Sequence, residues 1–513
     1  MSDNSRSILA TAKHFFFGTL LSRFSGFFRD MAMAFCFGSA PEVASFMVAY
    51  RLANLFRKLF GEGNAQAGFT PHFERMRAEG ERGAFLFYRD AAWSMGVVLV
   101  GIVALLMGSL WFLHGSLSGE WAEITMLTVW MIPGLLFICL FGLHNALLQC
   151  QKQAFWPAAA PVAFNLATTA AIIAAQANET MRPLAFGVTL AYGVQWVLTG
   201  LQVRKQLKLH LTLAEWFRPN FFSPEWRAMM RAMMLGIVGV GAVQINSALD
   251  ALFGKIADPS GPAYLWYAIR IEQLPMALFG VALSGALLPP LARALSSESL
   301  HTYHELLSGA LKHSLSLIVP CTFGILALGH SGLNLLYGHG DFSKADVVAT
   351  KHCLWAYGLS LVPAVLVLML AQGFYAQKKY SVPTTASVIS VVVNVVLNAV
   401  FVFAFHWGAF SIALATAVSA WVNLGVLVRS LHKQGAWNHP LSGNFVGRLA
   451  VACAVPCALT MALGLLWPDQ SPRSFLAQVG QFGAESVVFL GGVWVLARRL
   501  RLTELFELVS RRI

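Results

Sequence analysis

Charge is scarce in this sequence. Asp, Glu, Lys and Arg together make up 12% of 513 residues against 57% hydrophobic ones, a balance outside the range of soluble globular domains. Polar stretches are short too, which excludes a soluble enzyme or a disordered binding segment. What remains is an all-α polytopic membrane protein. Its apolar runs are long and unbroken, where a transmembrane barrel would show short alternating segments.

Other absences narrow the function. The seven cysteines, Cys36, Cys139, Cys150, Cys321, Cys353, Cys453 and Cys457, fall in or beside apolar runs without ligand spacing, so neither a disulfide framework nor a zinc site is expected. No GxxxxGK[ST] loop occurs, which argues against ATP hydrolysis. The loops carry no acidic or metal-binding cluster, as a membrane-embedded glycosyltransferase would need, and His14, His144, His313 and His406 are scattered over different runs. The first apolar segment has no small-residue cleavage site and reads as a span, not a signal peptide. A net charge of +12 raises nucleic acid as a partner, but the basic residues sit at the ends of apolar runs, where they set membrane topology.

About fourteen spans are long enough for a bilayer. They lie near 8–36, 43–76, 86–114, 123–150, 154–177, 183–203, 228–256, 263–294, 306–336, 350–377, 380–405, 407–430, 444–467 and 475–497, the second broken near Gly61 and Gly63. With the N-terminus inside, inner loops collect residues such as Arg75, Arg77, Arg82, Arg204, Lys205, Lys378 and Lys379, while outer loops hold only Arg182, Lys255, Lys344, Lys351 and Arg473. Both termini are therefore expected in the cytoplasm.

Arg51, Phe60, Gly61 and Pro71 recur at a constant offset as Arg270, Phe279, Gly280 and Pro290, and Gln151, Lys152 and Pro157 recur as Gln377, Lys378 and Pro383. This predicts two pseudo-symmetric six-helix lobes, 1–203 and 228–433, related by an axis along the membrane normal. A linker at 204–227 joins them, amphipathic around LHLTLAEWF and suited to the inner surface. Two further helices, 444–499, and a cytoplasmic tail, 500–513, lie outside the repeat.

Within SRFSGFFRD and YRLANLFRKLFGEG, apolar helices carry Arg23, Arg29, Arg51, Arg57, Lys58 and Glu62. A charge at the bilayer centre costs at least about 2.5–3.5 kcal/mol, so such arginines face protein or a watery cavity. Members of each pair, six apart, stand about 120° apart on the wheel and flank a sector. Gly26 between the first two allows a close neighbour or a bend. The repeat places Arg270 as the counterpart of Arg51, across a cavity; a salt bridge to Glu272 is the other reading. Arginine forks match phosphate oxygens, so the cluster suits a diphosphate. Asp250, Asn394, Asn398 and Thr416 are polar groups in apolar spans, read either as a monovalent cation site, Na⁺ for instance, or as interhelical hydrogen bonds.

These residues resemble a known family. SRFSGFFRD, YRLANLFRKLFGEG with a following GFTP, WYAIRIEQLP with GVALSGALLP, YGHGDF and GFYAQKKYSVP are similar to the MurJ (MviN) lipid II flippases of the multidrug/oligosaccharidyl-lipid/polysaccharide exporter superfamily. The resemblance implies a transporter and not an enzyme, in the bacterial inner membrane, with lipid II and membrane lipids as its partners and a link to wall-synthesis proteins. It implies two lobes around a cationic cavity and a groove for the lipid tail in the last two helices. Arg23, Arg29, Arg51, Arg57, Glu62 and Arg270 match the family's substrate-binding positions. No cofactor is implied beyond coupling to a cation or the membrane potential. Relatives often carry acids where this chain has Ala44, Ile269 and Gln273. The remaining readings are a polysaccharide-lipid or drug exporter of the superfamily, or a non-transporting scaffold or membrane glycosyltransferase of wall synthesis.

Overall fold

The computed structural model describes residues 2–60, 64–153, 155–178, 180–296, 299–433, 443–467, 474–503 and 505. Among these, eighteen α-helices follow in order: α1 Ser2–Phe37, α2 Pro41–Phe60, α3 Asn64–Glu79, α4 Glu81–His114, α5 Gly119–Met131, α6 Gly134–Cys150, α7 Phe155–Ala177, α8 Arg182–His210, α9 Leu213–Trp216, α10 Pro224–Ala257, α11 Gly261–Pro275, α12 Ala282–Ser296, α13 Leu300–Tyr337, α14 Lys344–Ala376, α15 Ser381–Ala399, α16 Phe410–His432, α17 Gly443–Gly464 and α18 Phe475–Arg499. Short π-helical turns, Met276–Val281 and Val400–Ala404, follow α11 and α15.

Ten helical runs among the described residues are long and apolar enough to cross a membrane, and α5 with α6, bent by 40°, makes an eleventh. The other expected spans fall on α1, on α2 with α3, and on α10. α1 carries Arg23, Arg29 and Asp30 inside its apolar run, which depresses its hydropathy without breaking the helix. The proposed interruption at Gly61 and Gly63 lies outside the described residues, as does Glu62.

The chain forms two compact units, Met1–Ala251 and Leu252–Ile513, divided inside α10. Within the first, α6 and α7 pack on α8 and α3 packs on α4; within the second, α14 and α15 pack on α16 and α12 on α13. The same span pairs are used twice. α17 and α18 pack on each other and on α13. Close approach depends on small residues, as is common where lipid supplies no hydrophobic drive: a Cβ at Gly187 would lie 2.2 Å from Cβ of Ala171.

The repeat extends to turn geometry. After α6, the amides of Gln151, Lys152 and Gln153 donate to the carbonyls of Leu147, Gln149 and Leu148; after α14, those of Gln377, Lys378 and Lys379 donate to Gly373, Tyr375 and Phe374, with the same spacings. Both are Schellman-type caps. Lys152 and Lys378 occupy the left-handed position at φ 59° and 60°, where glycine is usual.

The 204–227 stretch packs on the first unit. α8 runs on to His210, and α9 opens with a capping box in which Glu215 pairs with Thr212. Arg89 Nη1 donates to the Glu215 carbonyl at 3.0 Å, Trp93 Nε1 to that of Trp216 at 3.0 Å, and the Asn220 amide donates to Asp90 at 2.9 Å. These bonds to α4 explain why the boundary between units falls beyond the linker. Leu209, Leu213 and Phe217 stay exposed, the apolar face a membrane surface would take up.

Candidate functional site

α1 is continuous through SRFSGFFRD, so Arg23 and Arg29 leave it in different directions. Arg23 is exposed and has no hydrogen bond or ion pair among the described residues. Arg29 turns inward, its side chain 11% exposed beside a buried Asp30. Its Nη2 and Nε donate to Asp30 Oδ1 at 2.7 and 3.1 Å, and Nη1 donates to Asn165 Oδ1 on α7 at 3.1 Å. Asn165 Nδ2 in turn donates to the Ser22 carbonyl at 3.0 Å and Ser25 Oγ at 2.8 Å. A Cβ at Gly26 would stand 3.4 Å from that nitrogen. The glycine thus makes room for Asn165 in a continuous helix.

Arg29 and Arg57 gather around one aromatic pair. The Arg29 Cζ lies 5.9 Å from the Phe164 ring and the Arg57 Cζ 5.9 Å from the Tyr192 ring, while Phe164 and Tyr192 stack at 4.5 Å. The Tyr192 hydroxyl donates to Asn54 Oδ1 at 2.9 Å and lies 3.4 Å from that of Tyr50. The space beside Tyr50, Asn54, Arg57 and Tyr192 is about 10 Å³, far below the few hundred Å³ a ligand site occupies. In this state the cluster is closed by its own side chains. Arg51 stands apart from it, with Nη1 donating to the carbonyl and Oγ of Ser247 on α10, each at 3.1 Å.

In the second unit, Arg270 is half-buried on α11 with its Cζ 4.3 Å from the Trp266 ring. Glu272 is buried, Gln273 exposed. Glu272 makes no hydrogen bond or ion pair among the described residues, so the Arg270–Glu272 bridge weighed from sequence does not form. Cation–π contact to Trp266 stabilises the guanidinium. Ala44 is fully buried, next to Ser45, whose Oγ donates to the Pro41 carbonyl at 3.0 Å.

Three of the four candidate cation ligands come together between α15 and α16. Asn398 Nδ2 donates to Asn394 Oδ1 at 3.0 Å, and Asn394 Nδ2 to Thr416 Oγ1 at 3.3 Å. Asp250 belongs to the first unit, where Asn246 Nδ2 stands 3.5 Å from its Oδ2. The hydrogen-bonded reading is therefore realised, and the amide and hydroxyl oxygens of the three also suit a hard cation. No group of His, Cys, Asp and Glu able to hold a metal occurs among the described residues.

Asn165, Tyr192, Phe164 and Glu272 were not singled out from sequence as binding residues. The available signal was a lone polar residue within an apolar span, Asn165 in PVAFNLATT, which marks a functional or hydrogen-bonded position.

A solved lipid II flippase MurJ in an inward closed conformation shares this fold, with a TM-score of 0.76 at 21% identity over 95% of this chain and 99% of its own. An inward-facing MATE family multidrug transporter of the MOP superfamily follows at a TM-score of 0.65 and 14% identity, over 80% and 95%. Among sequences, a probable lipid II flippase MurJ of Rhizobium meliloti is 31% identical over 86% of this chain and 84% of its own. One from Chlamydia trachomatis is 29% identical over 99% and 97%. The profile of the family described as lipid II flippase MurJ matches residues 33–479. With that match spanning most of the chain, and with the arginine-bearing spans in place, the chain belongs to the lipid II flippase MurJ family.

Proposed function

We propose that this protein is a flippase that moves undecaprenyl-diphosphate-linked peptidoglycan precursor from the inner to the outer leaflet of the bacterial cytoplasmic membrane, by alternating access and without catalysing a reaction. The observation that carries this reading is the family match over residues 33–479, supported by arginines held in apolar helices. Arg23, Arg29 and Arg270 take the substrate's diphosphate, and Arg51, Arg57 and Glu62 belong to the same substrate-handling set. Both termini face the cytoplasm, and wall-synthesis proteins are the natural partners.

Depletion in the native host tests the reading. Lipid-linked wall precursor should accumulate in the inner leaflet; accumulation of a different polysaccharide-linked lipid would assign the chain to another branch of the superfamily.

The cycle is coupled to a monovalent cation or to the membrane potential, which supplies about 2.3 kcal/mol per charge per 100 mV. Asn394, Asn398 and Thr416 would hold Na⁺ through oxygens in the second unit, and Asp250 contributes a carboxylate within an apolar helix. Their replacement by Ala should abolish the Na⁺ or voltage dependence of transport in proteoliposomes. Transport indifferent to both gradients would remove the coupling.

A further inference from the structure

A cavity of about 680 Å³ opens among α13, α14, α17 and α18, lined by His330, Lys351, Trp355, Gly464, Gln481 and Glu485 among others. It shares none of the arginines assigned to the diphosphate. Glu485 on α18 is 3% exposed and accepts hydrogen bonds from Ser331 Oγ on α13 and, at 2.9 Å, from Gln481 Nε2. Lys351, in the early turns of α14, holds its ammonium 4.8 Å from the Trp355 ring and has no ion pair or hydrogen bond among the described residues. Trp355 is itself fixed by its Nε1 donating to the Leu326 carbonyl at 3.1 Å. A cation and a carboxylate thus line one space without pairing with each other.

Charges within apolar helices are costly and mark ligand or ion routes. The volume lies within the roughly 300–1,000 Å³ of small-molecule sites, well beyond what an ion needs. Opposite charges at separate points of the wall select a ligand carrying both signs. Glu485 keeps acceptor capacity beyond its two donors, so a primary ammonium fits there, and a phosphate fits against Lys351. Leu465 on the same wall is 82% exposed, leaving the rim open to acyl chains. We propose that this cavity binds the phosphoethanolamine headgroup of a membrane phospholipid, a site independent of the flippase reading.

Native mass spectrometry of the purified full chain tests it, with equimolar phosphatidylethanolamine, phosphatidylcholine and phosphatidylglycerol of matched acyl chains. The ethanolamine lipid should be retained over both others by at least about tenfold, because trimethylation removes the ammonium donors and glycerol lacks the cation. Lys351→Met and Glu485→Gln should each reduce that preference to less than about twofold. Gly464→Leu should do the same with both charges kept, since a Cβ there stands 3.5 Å from Glu485 Oε1 and a longer side chain grows into the cavity. If one variant fails to fold, the other two decide. Equal retention of the three lipids by the unaltered protein, or a preference surviving in the folded variants, would overturn the proposal.

Discussion

Arg29 on α1 ties Asn165 on α7 through Nη1 to Oδ1 at 3.1 Å, while the rest of its fork is held by the neighbouring Asp30. The same guanidinium is proposed to meet the substrate's diphosphate. A structural tie and a binding group therefore coincide in one residue, and a single substitution confuses the two.

Arg29→Ala should lose function partly by breaking the buried ion pair with Asp30, a loss of about 3–5 kcal/mol when one partner of such a pair is removed. Arg29→Ala with Asp30→Ala removes both charges and should recover membrane abundance and thermal stability without recovering complementation. Lysine at 29 keeps the charge but not the planar fork, so it should also fail. Complementation by the double variant would show that the arginine only balances Asp30.

Hydropathy carried the helical class, and recurring residues such as Arg51 with Arg270 and Lys152 with Lys378 carried the repeat, because both depend on sequence spacing. The pairing of Arg29 with Asn165 was not legible, since it depends on how α1 and α7 are rotated when packed, and Gly26 reads equally well as a hinge or a contact. Nor was the second role of the linker: Arg89 and Asp90, both 8% exposed, look in sequence like an ordinary helix start, and only the packing of 212–222 on α4 explains their burial. α18 shows the same limit. Its SVVFLGGVWVLA core is apolar as expected, but Glu485 just before it turns toward α13, so the helix has a polar buried edge and a lipid-exposed face.

The paired helix caps give a stability prediction. A non-glycine residue in the left-handed region costs about 1–2 kcal/mol, partly offset by the 0.5–1 kcal/mol roughly that glycine loses in chain entropy. Lys152→Gly and Lys378→Gly should each stabilise the purified protein by about 0.5–1 kcal/mol, seen as a higher Tm. A clear fall in Tm would mean that the lysine side chains make bonds that outweigh backbone strain.

The linker should open in acid. Thr212 donates its backbone amide and hydroxyl to Glu215, and Arg82 adds an ion pair, together holding the carboxyl down to about 2 from its usual 4.5. A group depressed on folding stabilises above its unfolded pKa and loses that contribution as pH falls through the folded value. Hydrogen exchange over residues 212–222, corrected for intrinsic rates, should stay unchanged from pH 7 to about 5 and rise between about 4.5 and 2. Arg82→Gln should shift the onset upward. Protection that is flat through this window would place the linker's anchorage in Arg89, Trp93 and Asp90 alone.

The last two helices are proposed to serve the substrate's lipid chain. α17 and α18 lie outside the repeat and pack on α13, yet Leu459, Leu465, Val487 and Leu490 stay 58%, 82%, 73% and 62% exposed. A helix that only braced the second unit would still need its inner face, which the buried Phe489, Val493 and Ala497 provide. The outer apolar face gains little from meeting an isoprenoid chain, because lipid already surrounds it and burial contributes roughly 0.8 kcal/mol per CH₂ only relative to water. A groove here would guide the tail more than bind it, and substitutions there should leave affinity nearly unchanged while altering rate. Photo-reactive residues at 459 and 487 should capture an isoprenoid-bearing substrate analogue, with labelling competed by unlabelled precursor. Labelling found only near Arg29, Arg57 or Arg270 would reduce α17 and α18 to a brace.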